Sequence, residues 1–178
     1  MSAPAYKIRP AEPEDAAGIA EVHGASWDES YRGLLPDEVI DAQLAPDGFR
    51  KRWRERLTGP TGSPARTLVA VAEDAGESRL VGFVSAGPSR DGDTGCPGEI
   101  WALYLVRKYQ GLGIGRALWN AGVAELAQRG LLPGQVVVLA KNPTLDFYRH
   151  VGGVEIARAP CRHEWAGHLE EVSLRFEA

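Results

Sequence analysis

Apolar and polar positions change period several times along the chain, and each change predicts an element. Residues 6–9 alternate, with Tyr6 and Ile8 on one side, the two-residue period of a short strand. Glu12-Pro13-Glu14-Asp15 follows. A proline in a first helical turn loses no useful donor, and acids there suit the helix dipole. Ile19, Val22, His23 and Ser26 then recur at helical spacing, so a helix is predicted to about Trp27. Residues 36–44 and 47–57 read as two more short helices, broken at Pro46. Residues 59–64 are a turn-rich break, 68–72 an apolar run read as a buried strand, and 80–86 its hairpin partner.

Residues 87–98 are rich in Gly, Pro, Asp and Ser and predict a loop. Asp91 and Asp93 within it have the spacing of a cation site and equally the composition of an ordinary turn. A strand is expected over 99–106 and, after a Gly-rich turn, a helix over 112–129. Ile114, Leu118 and Ala121, but also Trp119, Val123 and Leu126, spread around that helix, which implies that much of its circumference is covered. Gly130 is its stop. The continuous apolar run 136–140 has the pattern of a strand buried on both faces. A short helix is expected over 143–151, with Asn142 as cap and Pro143 in the first turn. Residues 154–158 and 171–177 are the final strands; the last alternates, with Val172, Leu174 and Phe176 inward. The expected order is β-α-α-β-β-β-α-β-α-β-β. That predicts an α/β fold with a mixed, largely antiparallel sheet and helices on both sides.

Composition narrows the class. A chain of 178 residues fits a single domain over 1–178, with no internal repeat or long linker. Apolar residues make up 44% and charged residues 25%, a globular balance. The net charge of −4 gives no overall field toward nucleic acid, and none is expected as a partner. The basic cluster at 50–54 reads as a solvated helix face. Cys96 and Cys161 are too few for a disulfide framework, no Cys/His spacing suits zinc, and no metal is expected. The first residues lack the apolar run of a signal peptide, and no stretch reaches membrane-spanning length, so a cytoplasmic protein without membrane attachment is expected. Edge strands near the C-terminus suit a homodimer.

The most informative segment is Gln110-Gly111-Leu112-Gly113-Ile114-Gly115-Arg116, between an apolar strand and a helix. Amides at a helix N-terminus lack internal partners and favour negative charge, and glycines let them approach a phosphate closely. The pattern is a pyrophosphate cradle, or a tight turn with glycines for packing. It is not a dinucleotide fingerprint, because a third glycine counted from Gly111 would fall at Arg116. Nor is it a Walker loop, because Gly115 is followed by Arg116-Ala117.

The flanking residues extend the pattern. Residues 99–106 (Glu-Ile-Trp-Ala-Leu-Tyr-Leu-Val), followed by Gln110-x-x-Gly113-x-Gly115, are similar to the acetyl-CoA signature of the GNAT superfamily of N-acetyltransferases. Asn142 with Phe147-Tyr148-Arg149-His150-Val151-Gly152 resembles that family's Asn…Phe-Tyr-x-x-x-Gly helix. Ser26-Trp27…Tyr31-Arg32-Gly33-Leu34-Leu35-Pro36 resembles a common opening of it. The resemblance covers essentially the whole chain in order. One departure stands out: Asn usually lies seven residues before Tyr, and here Lys141 occupies that slot with Asn142 six before Tyr148. Either the helix start is shortened by one residue or Asn142 is merely a cap.

The resemblance implies transfer of an acetyl group from acetyl-CoA to a small-molecule or peptide amine by direct attack. It assigns the pantetheine arm and thioester to Leu103, Tyr104 and Leu105, and the pyrophosphate to Gln110, Gly111, Leu112, Gly113, Ile114, Gly115 and Arg116. Asn142 would touch the pantetheine, and Tyr148 would protonate the leaving sulfur. The amine must lose a proton before it attacks. Glu99, isolated among Ile100, Trp101 and Leu103, is the candidate base if buried, with a water chain as the alternative. Trp27 and Tyr31 are candidates for the acceptor pocket, or simply core. Two rival readings are a non-catalytic acyl-CoA-binding regulator on the same fold and a nucleotide-binding or interaction domain with a purely structural turn.

Overall fold

The computed structural model describes residues 4–45, 48–59, 63–74, 76–92, 94–163, 166 and 168–178. Seven strands, β1 (Tyr6–Pro10), β2 (Arg66–Asp74), β3 (Glu77–Pro88), β4 (Gly98–Leu105), β5 (Gly134–Leu139), β6 (Val154–Pro160) and β7 (Glu170–Phe176), form one sheet in the order β1-β2-β3-β4-β5-β7-β6. Every pairing is antiparallel except β4 with β5. The helices are α1 (Ala16–Tyr31), α2 (Asp37–Leu44), α3 (Gly48–Thr58), α4 (Ile114–Gln128) and α5 (Thr144–His150). Three helices stand between β1 and β2, as the separate readings to Trp27, over 36–44 and over 47–57 expect, although the expected order counts only two there. The mixed α/β architecture with a largely antiparallel sheet is as expected. Pro46, Asp47, Asp93 and residues 60–62 lie outside the described residues.

Alternation along the strands builds two cores. Ala70, Ala72, Val84 and Ile100 face α4 and α5. Val69, Val71 and Phe83, offset by one, face α1 and α3, where Ile19, Phe49 and Trp53 meet them. Phe49 and Trp53, four apart on α3, are its buried anchors, and Arg50, Lys51, Arg52 and Arg54 are exposed. The basic cluster is thus a solvated face around two aromatic contacts. A third, smaller cluster joins Leu35 and Ile40 to Cys161, Ala166 and Leu169.

α4 is covered over much of its circumference, as expected: Ile114, Leu118, Gly122 and Leu126 are buried with Trp119 beside them, and only the side at Arg116, Asn120 and Ala124 is exposed along its length. Gly122 is the closest approach to the sheet: a Cβ there would lie 2.9 Å from both Ile100 Cδ1 and Val84 Cγ2. α1 runs one turn beyond Trp27, to Tyr31. Its polar last turn is tied by Arg32, which reaches Asp28, Asp37 and Asp41.

Candidate functional site

β4 and β5 pair over only three positions, Gly98 with Gly134, Glu99 with Gln135 and Ile100 with Val136. Beyond them the register of β4 against β3 slips between Ser85 and Ala86, leaving Trp101 as the extra residue of a bulge. A bulge bends and twists its strand, and β4 swings away from β5. Residues 102–105 keep their partners on β3, and 137–139 keep theirs on β7, but their facing edges no longer meet. The gap is a cleft of about 1020 Å³ lined from both strands.

The Gly-rich turn closes one end of it. A 3-10 turn at Arg107–Tyr109 is pinned by the buried Tyr109 ring, and Gln110 Nε2 donates to Leu105 O at 3.0 Å. Gly111 and Gly113 have φ of 72° and 84°, the left-handed region that favours glycine, and open space surrounds both Cα atoms. Gly113 is the N-cap of α4 and no side chain caps the helix. Ala117 N–H donates back to Gly113 O at 3.0 Å, so the amides of Ile114, Gly115 and Arg116 point out of the helix end. Gln110, Gly111, Gly113, Gly115 and Arg116 line the cleft, while the Ile114 side chain is buried in the core. An end with free amides, no cap and room at both glycines fits a diphosphate.

Deeper in the cleft, α1, β4 and α5 bring together three phenols. Trp27 Nε1 donates to the Tyr104 hydroxyl at 3.1 Å, and Tyr104 and Tyr31 are hydrogen-bonded to each other. The Trp27 and Tyr31 rings, four residues apart on α1, lie 4.9 Å apart. Asn142 serves two ends at once. Its Oδ1 accepts from Thr144 N–H at 3.0 Å, capping α5, and its side chain reaches the Tyr31 hydroxyl. Lys141, in the slot of the usual Asn, is exposed. Tyr148 is buried between Trp119 and Phe147 and lines the cleft. Burial, helped by the neighbouring Tyr104, pushes its phenol above the ordinary tyrosine value. The ring of His23 packs 3.9 Å from Phe49 and 4.6 Å from Tyr104, and its Nδ1 accepts from Trp53 Nε1 at 3.1 Å. Burial, with Arg52 and Arg56 nearby, pulls its pKa down to about 3, so it is a neutral packing residue.

Glu99 is buried as expected of a base, but it does not line the cleft. Its Oε2 accepts from the Arg90 backbone N–H at 2.8 Å; its Oε1 accepts from Arg90 Nε at 3.0 Å and from Arg90 Nη2. Both oxygens of the candidate base are thus occupied by a single loop residue. The chain pattern marked Glu99 as unusual but gave no sign of Arg90, nine positions earlier in a polar loop. Arg90, Cys161, Arg162 and Glu171 also line the cleft and belong to no recognisable motif; Ser26, the first residue of the opening motif, lines it too. Ser26 is 4% exposed, and its hydroxyl has no hydrogen-bond partner among the described residues. Asp91 meets Arg162 at 3.2 Å, and among the described residues no group of three or more His, Cys, Asp or Glu is placed to hold a metal.

Comparison with known proteins gives the same picture from outside. Over 169 residues the chain is 35% identical to the uncharacterized N-acetyltransferase YuaI of Bacillus subtilis (strain 168), covering 94% of this chain and 90% of that one. Over 92 residues it is 38% identical to mycothiol acetyltransferase of Kocuria rhizophila, covering 50% of this chain and 30% of that one. The fold matches PaiA N-acetyltransferase from Thermoplasma acidophilum, solved in complex with coenzyme A. The TM-score is 0.76 at 19% identity, covering 98% of this chain and 99% of that one. Residues 20–152 match the model of the acetyltransferase (GNAT) family. With the split sheet and uncapped glycine turn in place, the chain belongs to the GNAT family of acetyltransferases.

Proposed function

We propose that the protein transfers an acetyl group from acetyl-CoA to a primary amine by direct attack within a ternary complex. The observation that carries this reading is the continuity of the uncapped α4 turn with the open edge of β4, which leads to Tyr148. Acetyl-CoA supplies the thioester that donates the acyl group. The amides of residues 111–116 hold its diphosphate, with Arg116 at the rim. The unpaired edge of β4 at Leu103, Tyr104 and Leu105 offers backbone donors and acceptors to the pantetheine arm. An N–H of that edge can also donate to the carbonyl oxygen as it gains charge. Asn142, already fixed as a cap, adds a polar group on the opposite wall.

Tyr148 is the group that donates a proton to the departing sulfur. A phenol is protonated at neutral pH already at its ordinary value, and burial raises that value further. The incoming amine must be neutral, and its proton leaves through water in the cleft. Glu99, with both oxygens on Arg90, acts as an anchor and not as the base. Trp27 and Tyr31 wall the acceptor side. The exposed edge strand β6, where Val154 is 66% and Ile156 41% exposed, supports a homodimer formed along that edge.

The test is an amine panel, containing small amines and peptides, read as free thiol released from acetyl-CoA, with binding measured separately by calorimetry. Tyr148→Phe is expected to lower kcat by roughly 10²-fold, the usual scale of a lost general acid, with acetyl-CoA affinity unchanged. Binding without transfer to any amine, and no effect of the substitution, would instead favour a regulator that only senses the acyl-CoA.

A further inference from the structure

Glu99 poses a physical question that the transfer reaction leaves open. A fully buried carboxylate in a sheet is costly, and an apolar pair of similar volume would stabilise the strand at least as well. Its partner is not interior: the Arg90 side chain is 46% exposed, sits in the β3–β4 loop and lines the cleft. What the pair does is fix a loop guanidinium in one orientation. Glu99 takes Nε, Nη2 and the backbone N–H, and the guanidinium stands 5.1 Å from the centre of the Trp101 ring. Nη1 is left outside the pair.

We propose that the acceptor amine carries an oxyanion, a carboxylate or a phosphate-type group, close to its nitrogen, and that Arg90 reads it. This names a substrate class for the transfer proposed above and rests on that reading. A guanidinium held in place presents planar donors to an oxyanion, which a mobile lysine cannot do equally well. The position is productive. Arg90 lines the same cleft as Tyr31, Tyr104 and Tyr148, so its donors face the space that the phenol cluster walls. A second guanidinium reinforces it. Arg162 also lines the cleft and meets Asp91 of the same loop at 3.2 Å. The other carboxylates here, Asp91 and Glu171, are both engaged by Arg162. With Glu99 on Arg90 and with Asp91 and Glu171 on Arg162, the wall carries three carboxylates against two guanidiniums, so Arg90 selects by the fixed geometry of its donors and not by net charge. Glu99 is then a positioning residue that acts through Arg90.

The experiment compares matched acceptors with acetyl-CoA, following thiol release: amino acids against their carboxamides, 2-aminoethylphosphonate against ethylamine, and spermidine. The oxyanion-bearing member of a pair should be favoured by roughly 10- to 100-fold in kcat/KM, the fold-change expected of a charge-assisted hydrogen bond. The carboxylate and phosphonate arms tell which oxyanion is read. Arg90→Gln should remove the preference by raising KM for that acceptor while KM for acetyl-CoA stays unchanged, and Arg90→Lys should restore part of it. Glu99→Gln should move the same way. If that buried substitution prevents folding, Arg90→Gln at its half-exposed loop position carries the test alone. Equal use of acid and amide, preference for spermidine in wild type and Arg90→Gln alike, or transfer to no oxyanion-bearing amine would overturn the inference. Calorimetry separates the two levels. A wild type that fails to bind acetyl-CoA refutes the transferase reading itself, whereas one that binds and ignores the oxyanion refutes only this inference.

Discussion

Gly113→Asp is the sharpest perturbation of the glycine turn, because its effects on stability and on binding have different sizes. Gly113 has φ 84° and ψ −13°, and no atom lies within 4 Å of a Cβ built on it. The substitution therefore meets no clash in the free protein. It costs only the left-handed backbone, about 1–2 kcal/mol for an ordinary residue and less for Asp, which tolerates that region. At roughly 2–4 °C per kcal/mol for a chain of this size, the free variant should melt a few degrees lower. The ligand effect is larger. Acetyl-CoA at a hundred times its Kd should stabilise wild type by about 2.7 kcal/mol, a shift of roughly 5–10 °C. A carboxylate about 4 Å from one phosphate charge costs between about 1 kcal/mol in water and about 4 kcal/mol in a partly shielded site. A penalty of about 2.7 kcal/mol weakens binding by roughly 10²-fold. The ligand is then near its Kd, and the remaining stabilisation is about 0.4 kcal/mol, a shift of roughly 1 °C. Thermal melts with and without acetyl-CoA read both numbers. Gly113→Ala isolates the backbone strain and should retain most of the ligand shift. A full shift in Gly113→Asp would refute the placement of the diphosphate, and equal losses in the Ala and Asp variants would refute the electrostatic argument.

Further expectations follow from individual contacts. Ser26→Ala removes a buried hydroxyl that has no partner among the described residues, so denaturation should show no loss of stability while KM for the acceptor or acetyl-CoA rises; a lower melting temperature with unchanged KM would mean the hydroxyl is structural. Gly122→Val places a side chain 2.9 Å from Ile100 and Val84 and should destabilise by roughly 1–3 kcal/mol through overpacking, read as a lower urea midpoint with an unchanged slope. Burial lowers the His23 pKa to about 3 in the folded protein from the ordinary value of 6.5. Between those values the unfolded chain binds more protons, so stability should fall as pH drops from 6.5 toward 3, and His23→Gln should flatten that part of a stability–pH profile. An unaltered slope would show that His23 is not the group responsible.

The elements themselves were largely legible because their patterns are local. The alternation of Val172, Leu174 and Phe176 fixes the inward face of β7, and all three are buried. The turn at 110–115 was equally plain, since positive φ and an uncapped helix leave glycine as their mark. α1 was read one turn short because its last turn has no apolar stripe and depends on Arg32 and its acidic neighbours. The spread of apolar residues around α4 predicts a largely covered helix, and only Arg116, Asn120, Ala124, Ala127 and Gln128 are exposed; the close sheet contact at Gly122 is the part that no hydrophobicity pattern registers. Glu99 was conspicuous for its isolation, but its meaning depended on a tertiary partner, Arg90. The Trp101 bulge and the parting of β4 from β5 were also beyond local pattern, because pairing register is settled between strands distant in sequence.

The three-rung seam between β4 and β5 has a mechanical consequence. Among the described residues, main-chain hydrogen bonding within the sheet joins its β1–β4 half to its β5–β6–β7 half only through residues 98–100 and 134–136. A guest lying along the open margins would act as a splint, and removing it would let the two plates flex about that seam. Amide exchange at 101–105 and 137–139 should therefore slow on complex formation even where no side chain touches the guest, because the splint suppresses the flexing that exposes those amides.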